Sequence, residues 1–297
     1  MPSGPWLTRF LKGMTFLVYF YLLAPVLVVI ALAFNPRDLG DFPFTEVSLK
    51  WFYMLANDQA ILASVRISFT LGLVSAAITT TLGTAAAYAL ARYRVPGKDF
   101  VQLVLLIPML VPHLILGVGL LLAWRLMGLP KTFALLVVGH VAVTMPLVII
   151  MTRHRLQSIS RSYEEAARTL GANGLQTFAA ITLPLAAPAI VVAFLFAFMS
   201  SFDELTATLF WRPANVETVP TQIMAMLQFQ IDHRINALAT VLICFTVGVP
   251  VLATLAAKGL TTTLPKLRAK RLAARLAADS KSADGEVGSL GKGRGVV

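Results

Sequence analysis

Residues 153–184 read RHRLQSISRSYEEAARTLGANGLQTFAAITLP, and the fold turns on how they are interpreted. The stretch lies between two long apolar runs, yet its polar residues are ordered rather than scattered. Ser162 followed by Glu165 has the spacing of a capping box, in which the serine caps the first turn and the glutamate reaches back. The helix this predicts, Tyr163 to Leu170, stops at Gly171, the residue type that best adopts the left-handed turn at a helix end. Asn173 and Gln176 repeat the N-cap spacing and predict a second helix to Leu183, after which Pro184 opens the next apolar run. Helix, sharp turn, helix is too patterned for a passive connector. Small Ala166 and Ala167 let the first helix seat deeply on a surface, and Glu165 can cap it or meet a basic group on a partner.

Composition explains what the loop is embedded in. Of 297 residues, 57% are hydrophobic and only 13% charged, and mean hydropathy is +0.77. Soluble domains carry about 25% charged residues, so an ordinary cytosolic enzyme is excluded. The single cysteine, Cys244, rules out a disulfide framework and a Cys-based zinc site. A bilayer core about 30 Å thick needs roughly 20 apolar residues per helix. Six segments qualify, approximately 14–34, 61–91, 100–126, 133–152, 185–209 and 237–257. None alternates as a strand would, so the expectation is an all-α polytopic membrane protein.

The basic residues set the orientation. With the N-terminus inside, Arg9, Lys12, Arg92, Arg94, Lys98, Arg153, Arg155, Arg161, Arg168 and the basic tail from Lys258 onward fall on the cytoplasmic side. The loop 35–60, with Asp38, Asp41, Glu46 and Asp58, falls outside. Both termini are then cytoplasmic. The net charge of +11 is read as this orientation signal plus a basic tail beside anionic lipid headgroups, rather than as a nucleic-acid footprint. Ala31-Leu32-Ala33 imitates a signal-peptide cleavage site, but the run before it is longer than such a region, and an uncleaved anchor is expected.

Within the spans, Ser68, Gly72, Ser75, Ala76, Thr79, Gly83, Ala87 and Ala91 place small residues on one face of the second helix, as close packing in lipid requires. That second run is too long to lie wholly in lipid. Pro108, Pro112, Pro146 and Pro188 permit kinks. His113 and His140 have no neighbours at metal-ligand spacing and read as hydrogen-bonded structural histidines; no metal or catalytic site is expected. Asp203-Glu204 has two readings. It is an acidic binding or gating element for a cationic solute, or an interfacial pair that is solvated outside or bridged to Arg212. Neighbours on a helix point about 100° apart, so at most one of the two faces a pathway squarely.

The order Glu165-Ala166-Ala167, three residues, Gly171, nine residues, Ile181-Thr182-Leu183-Pro184 resembles the EAA loop of permease subunits of bacterial ABC importers, with every signature position matched. The resemblance extends from about residue 60 to 257. Ser201-Phe202-Asp203-Glu204, Pro220 and Asn236-Ala237-Leu238-Ala239-Thr240 look like the spermidine/putrescine-type branch, which implies a polyamine as solute; related permeases carry other amines, opines, phosphonates or ferric iron, so the branch does not fix the substrate. The resemblance implies the type I importer permease fold in the bacterial inner membrane, with the loop docked on a cytoplasmic ATPase. It also implies an ATPase dimer using ATP and Mg, a second homologous permease and a periplasmic solute-binding protein as partners. No phosphate-binding Gly-x-x-x-x-Gly-Lys-Ser/Thr motif occurs in the chain, so ATP must be hydrolysed by another subunit.

The expected organisation is an N-tail 1–13, a permease domain 14–257 carrying the loop 153–184, and a basic tail 258–297. In that tail Leu264 to Ala278 reads as a surface helix and Asp279 to Val297 as disordered. On the exterior, Gln222 to Phe229 reads as a short amphipathic helix. A secondary transporter would show related halves with paired broken helices, and no such repeat is present. An intramembrane enzyme would need reactive groups gathered at one depth, whereas here they are scattered.

Overall fold

The structure, a computed structural model, describes residues 5–37, 46–229, 233–252 and 254–255. Asp38, Asp41 and everything assigned above to the tail from Lys258, including 264–278 and 279–297, lie outside the described residues. Met1–Val241 forms one compact unit, and Leu242–Val297 a second, of which the end of one helix is described.

All regular structure among the described residues is helical. In chain order the elements are α1 (Pro5–Leu32), α2 (Lys50–Asn57), α3 (Gln59–Arg92), α4 (Lys98–Leu110), α5 (His113–Leu126), α6 (Phe133–Ser158) and α7 (Arg161–Thr169). Then come α8 (Gly174–Thr177), a π turn (Phe178–Thr182), α9 (Leu183–Phe202), α10 (Thr208–Trp211) and α11 (Val219–Phe229), followed by α12 (Arg234–Leu252). Five stretches are long and apolar enough to cross a membrane, and a sixth if the bent pair α4–α5 is one span.

The core of the first unit is the triad α3, α6 and α9. The small-residue face of α3 makes it possible. Ser68, Gly72, Ser75, Ala76, Thr79, Gly83 and Ala87 are all buried. A Cβ at Gly83 would lie 2.7 Å from Val148 Cγ1 of α6, and one at Gly72 would lie 3.0 Å from the Phe198 ring of α9. In lipid no hydrophobic force drives helices together, so this backbone proximity supplies the packing. At 34 residues and about 1.5 Å each, α3 outruns a bilayer core about 30 Å thick. By contrast, none of the most apolar window of α1 is buried within the chain, and Phe16, Tyr19 and Leu23 are exposed around it.

Two expected spans differ. The third, 100–126, is not one helix: the chain bends by 109° between α4 and α5. Pro112 disfavours helical geometry at Val111 (φ −88°, ψ 132°), so α4 stops at Leu110 and α5 restarts at His113. The fifth is shorter at its far end, where α9 stops at Phe202 and Asp203 is its C-cap. At its near end it is longer, since α8, the π turn and α9 form a continuous apolar path from Gly174 to Phe202. The second helix of the loop therefore does not end at Leu183. The wider π turn immediately before Leu183-Pro184 absorbs the missing proline amide and ring, which a regular α-helix would not.

Candidate functional site

The two groups of residues singled out by sequence lie at opposite ends of α9. That helix has 20 residues, about 30 Å at 1.5 Å per residue, the thickness of a bilayer core.

At the Leu183 end, α7 begins two residues earlier than its capping-box spacing predicts. Its N-cap is Ser160, whose Oγ accepts from the Ser162 amide at 3.3 Å, so the expected Ser162–Glu165 box does not form. Ser160 follows buried Ile159, and burial of that residue sets where the helix starts. The second box does form: Asn173 Oδ1 accepts from Gln176 N and Gln176 Oε1 accepts from Asn173 N, each at 2.9 Å. Gly171 has φ +90°, the left-handed stop between the two, with open space where a Cβ would stand. Glu165 and Ala166 are exposed and Ala167 half-buried. Ile181 is half-buried, and Leu183 and Pro184 are exposed. Apolar Tyr163, Leu170 and Leu175 are also exposed.

Sequence reasoning missed Glu164. It points the other way from Glu165, is 5% exposed, and accepts at Oε1 from Arg92 Nε at 2.9 Å and from Thr182 Oγ1 at 2.8 Å. The only local signal was the doubled glutamate itself, since side chains one residue apart on a helix cannot both face inward.

At the Phe202 end, the acidic pair divides. Glu204 is buried; its Oε2 accepts from His113 Nδ1 at 2.7 Å and its Oε1 from the Ala207 amide at 2.9 Å. His113 is the first residue of α5, so this contact ties the end of α9 to the α4–α5 break. Asp203 is exposed; its amide donates to the Met199 carbonyl at 3.0 Å, and its carboxylate has no hydrogen-bond partner among the described residues. Neither carboxylate meets Arg212, whose guanidinium pairs with Glu217 at 2.7 Å. Both flank residues there are partly solvated, where such a pair contributes little.

Below this point is a buried polar chain. His140 Nδ1 contacts Ser201 Oγ at 2.7 Å and Nε2 contacts Thr208 Oγ1 at 3.0 Å. Thr208 Oγ1 donates to the Glu204 carbonyl, Thr144 Oγ1 to the His140 carbonyl, and Thr144 meets Thr79 at 3.0 Å. Both histidines are hydrogen-bonded within the fold. Among the described residues no three His, Cys, Asp or Glu gather to hold a metal.

An all-helical bundle with close-packed glycine contacts, a broken span and a capped helix-turn-helix loop defines a polytopic helical membrane protein. The chain belongs to the family described as binding-protein-dependent transport system inner membrane component, which matches residues 79–262. It is 30% identical over 244 residues to the spermidine/putrescine transport system permease protein PotC of Escherichia coli (strain K12), covering 82% of this chain and 92% of that one. To the putrescine transport system permease protein PotI of the same strain it is 32% identical over 248 residues, covering 81% and 86%. The fold matches a chain from the crystal structure of a bacterial alginate ABC transporter in complex with alginate pentasaccharide-bound periplasmic protein, at 17% identity. The TM-score of that match is 0.66, over 86% of this chain and 93% of that one. The protein is thus an inner-membrane, multi-pass permease subunit of an ABC importer, a transport component rather than an enzyme, and it works with a partner that uses ATP.

Proposed function

We propose that the chain carries a polyamine or a related cationic amine from periplasm to cytoplasm by alternating access. The observation that carries this reading is the division of the acidic pair. Glu204 is committed to His113 and Ala207, while Asp203, the residue before it, ends α9 with its carboxylate exposed. An uncompensated carboxylate at the mouth of a low-dielectric path attracts cations. The names of PotC and PotI, which specify spermidine and putrescine, support the same cargo.

In this reading both termini are cytoplasmic and residues 14–257 form the permease domain. The loop 153–184 docks on a cytoplasmic ATPase dimer that hydrolyses ATP with Mg. Exposed Glu165, Ala166, Tyr163 and Leu170 form the docking face, Gly171 the turn, and Ile181, Leu183 and Pro184 the junction to α9. ATP binding closes the ATPases, the loop passes that motion upward, the path opens outward under a docked periplasmic solute-binding protein, and hydrolysis resets it. A second homologous permease completes the path, and lipid or that permease covers α1.

The test is uptake by the whole importer reconstituted in vesicles. Glu165→Lys and Gly171→Val should each abolish ATP-coupled uptake, the first by reversing the docking charge and the second by straining a φ of +90°; intact uptake in both removes the coupling role of the loop. Asp203→Asn should lower putrescine uptake about tenfold, equivalent to about 1.4 kcal/mol of lost attraction. Unchanged putrescine uptake in Asp203→Asn removes the cationic-solute argument.

A further inference from the structure

Glu164 has no role in a docking face, because it faces inward. Its side chain and that of Arg92 are 6% and 7% exposed, a buried ion pair between residues 72 apart in sequence. The same oxygen, Oε1, also accepts a hydrogen bond from the Thr182 hydroxyl, so one carboxylate joins three elements: α7, the last turn of α3, and the π turn that runs into α9. Two further bonds close the junction. Arg92 Nη2 donates to the Ile159 carbonyl and Arg161 Nη2 to the Ala91 carbonyl, each at 3.2 Å. Around it Ala87, Leu156, Ile159 and Ala186 form a buried apolar cluster from α3, α6, the loop and α9. The Tyr88 and Phe178 rings meet edge-on at 4.8 Å across α3 and the π turn.

An isolated helix of nine residues is marginal in water, and α7 is anchored covalently only by Ile159-Ser160 and by the glycine turn. Without an inward tie it could pivot about those ends. A buried charge pair is poor evidence of stability, because desolvation offsets its attraction. Its best-attested use is to fix one arrangement over others, and groups sharing one buried network couple non-additively. The surplus length of α3 has a use here as well: Arg92 lies thirteen residues past Thr79, about 20 Å along the helix.

We propose that Glu164 is a positioning residue that makes α7, the Arg92 end of α3 and the start of α9 one mechanical unit, so that displacement of α7 moves both core helices without slack. This rests on the reading of α7 as the face displaced by the ATPase.

The whole importer in vesicles supplies the test. Cys244 is replaced by serine, and spin labels are placed at exposed Arg94 and Thr169, on either side of the junction. The Arg94–Thr169 distance distribution should be the same with and without a non-hydrolysable ATP analogue. A distance that changes with nucleotide in the otherwise unaltered chain overturns the proposal, whatever becomes of any junction variant. Thr182→Val, which keeps the shape and loses the donor, should broaden the distribution and lower solute imported per ATP about tenfold, while Thr182→Ser should retain the normal ratio. Glu164→Gln should behave as Thr182→Val does. A Thr182→Val importer that keeps its uptake-per-ATP ratio within about twofold overturns the positioning role, since a merely structural contact would lower yield and leave that ratio alone. Failure of the coupling reading is seen separately, in unimpaired Glu165→Lys and Gly171→Val importers.

Discussion

Replacing Gly139 with leucine is expected to prevent the permease from folding to a stable form. Trp211 of α10 is 1% exposed, and its indole is wedged between two glycines on different helices. On one side a Cβ at Gly139 of α6 would overlap the ring, with Cδ2 at 2.7 Å and two ring atoms nearer still. On the other, Trp211 Nε1 donates to the Gly117 carbonyl of α5 at 2.8 Å. Retreat in that direction is blocked, because Gly117 itself lies against Phe210 and the Ala207 backbone. Overpacking usually costs about 1–3 kcal/mol where side chains can shift. Here the obstacle is a rigid ring without free space, so the cost should exceed about 3 kcal/mol, a large part of a total stability of about 5–15 kcal/mol. Gly139→Leu should lose the monodisperse peak in detergent, and Gly139→Ala should lower the midpoint of thermal unfolding. Adding Trp211→Phe to Gly139→Ala should recover part of the loss, as expected of two residues in direct contact. A Gly139→Leu protein that unfolds at the same temperature as the parent chain would refute the wedge.

Sequence reasoning saw half of this kind of packing. The small residues of α3 recur every three or four positions and so announce a face; Gly139, and Gly117 two residues before Gly119, lie in apolar runs without that recurrence and announce none. What is periodic or local was readable: five of the six expected spans, the left-handed stop at Gly171, and the Asn173–Gln176 box. What depends on distant chain was not. Ser162–Glu165 has the right spacing for a cap, but burial of Ile159 places the helix start at Ser160. The third span has enough apolar residues to cross a bilayer, and Pro108 and Pro112 permitted a kink; the structure breaks it by 109° at Pro112. Contacts such as Glu164–Arg92 and Glu204–His113 join residues 72 and 91 apart. No spacing rule reaches across such distances. The consequence for the acidic pair is specific: Glu204 is held by His113 and the Ala207 amide rather than by solvent or Arg212, and Asp203 is the carboxylate left exposed.

His140→Ala should be the next most damaging change in the membrane core, and the reason can be separated experimentally. The ring is 1% exposed and touches both Ser201 and Thr208, so truncation removes two hydrogen bonds and opens a cavity. In water-soluble cores an orphaned buried polar group costs about 1–3 kcal/mol. In lipid the measured worth of interhelical hydrogen bonds averages about 0.6 kcal/mol, because the same groups also find partners in the unfolded state within the membrane. Both hydroxyls here also have a choice in the folded state. Thr208 Oγ1 already donates to the Glu204 carbonyl, and Ser201 can turn to a carbonyl of its own helix. The cavity is not repaired so easily, and large-to-small changes at buried sites cost about 2–5 kcal/mol. Packing should therefore dominate. His140→Ala is expected to cost about 3 kcal/mol, and His140→Leu, which refills most of the space without restoring a hydrogen bond, about half as much. Unfolding of the two variants in mixed detergent micelles measures the difference. If His140→Leu is as damaging as His140→Ala, the hydrogen bonds to Ser201 and Thr208, rather than the volume of the ring, hold α6 to α9 and α10 at this depth.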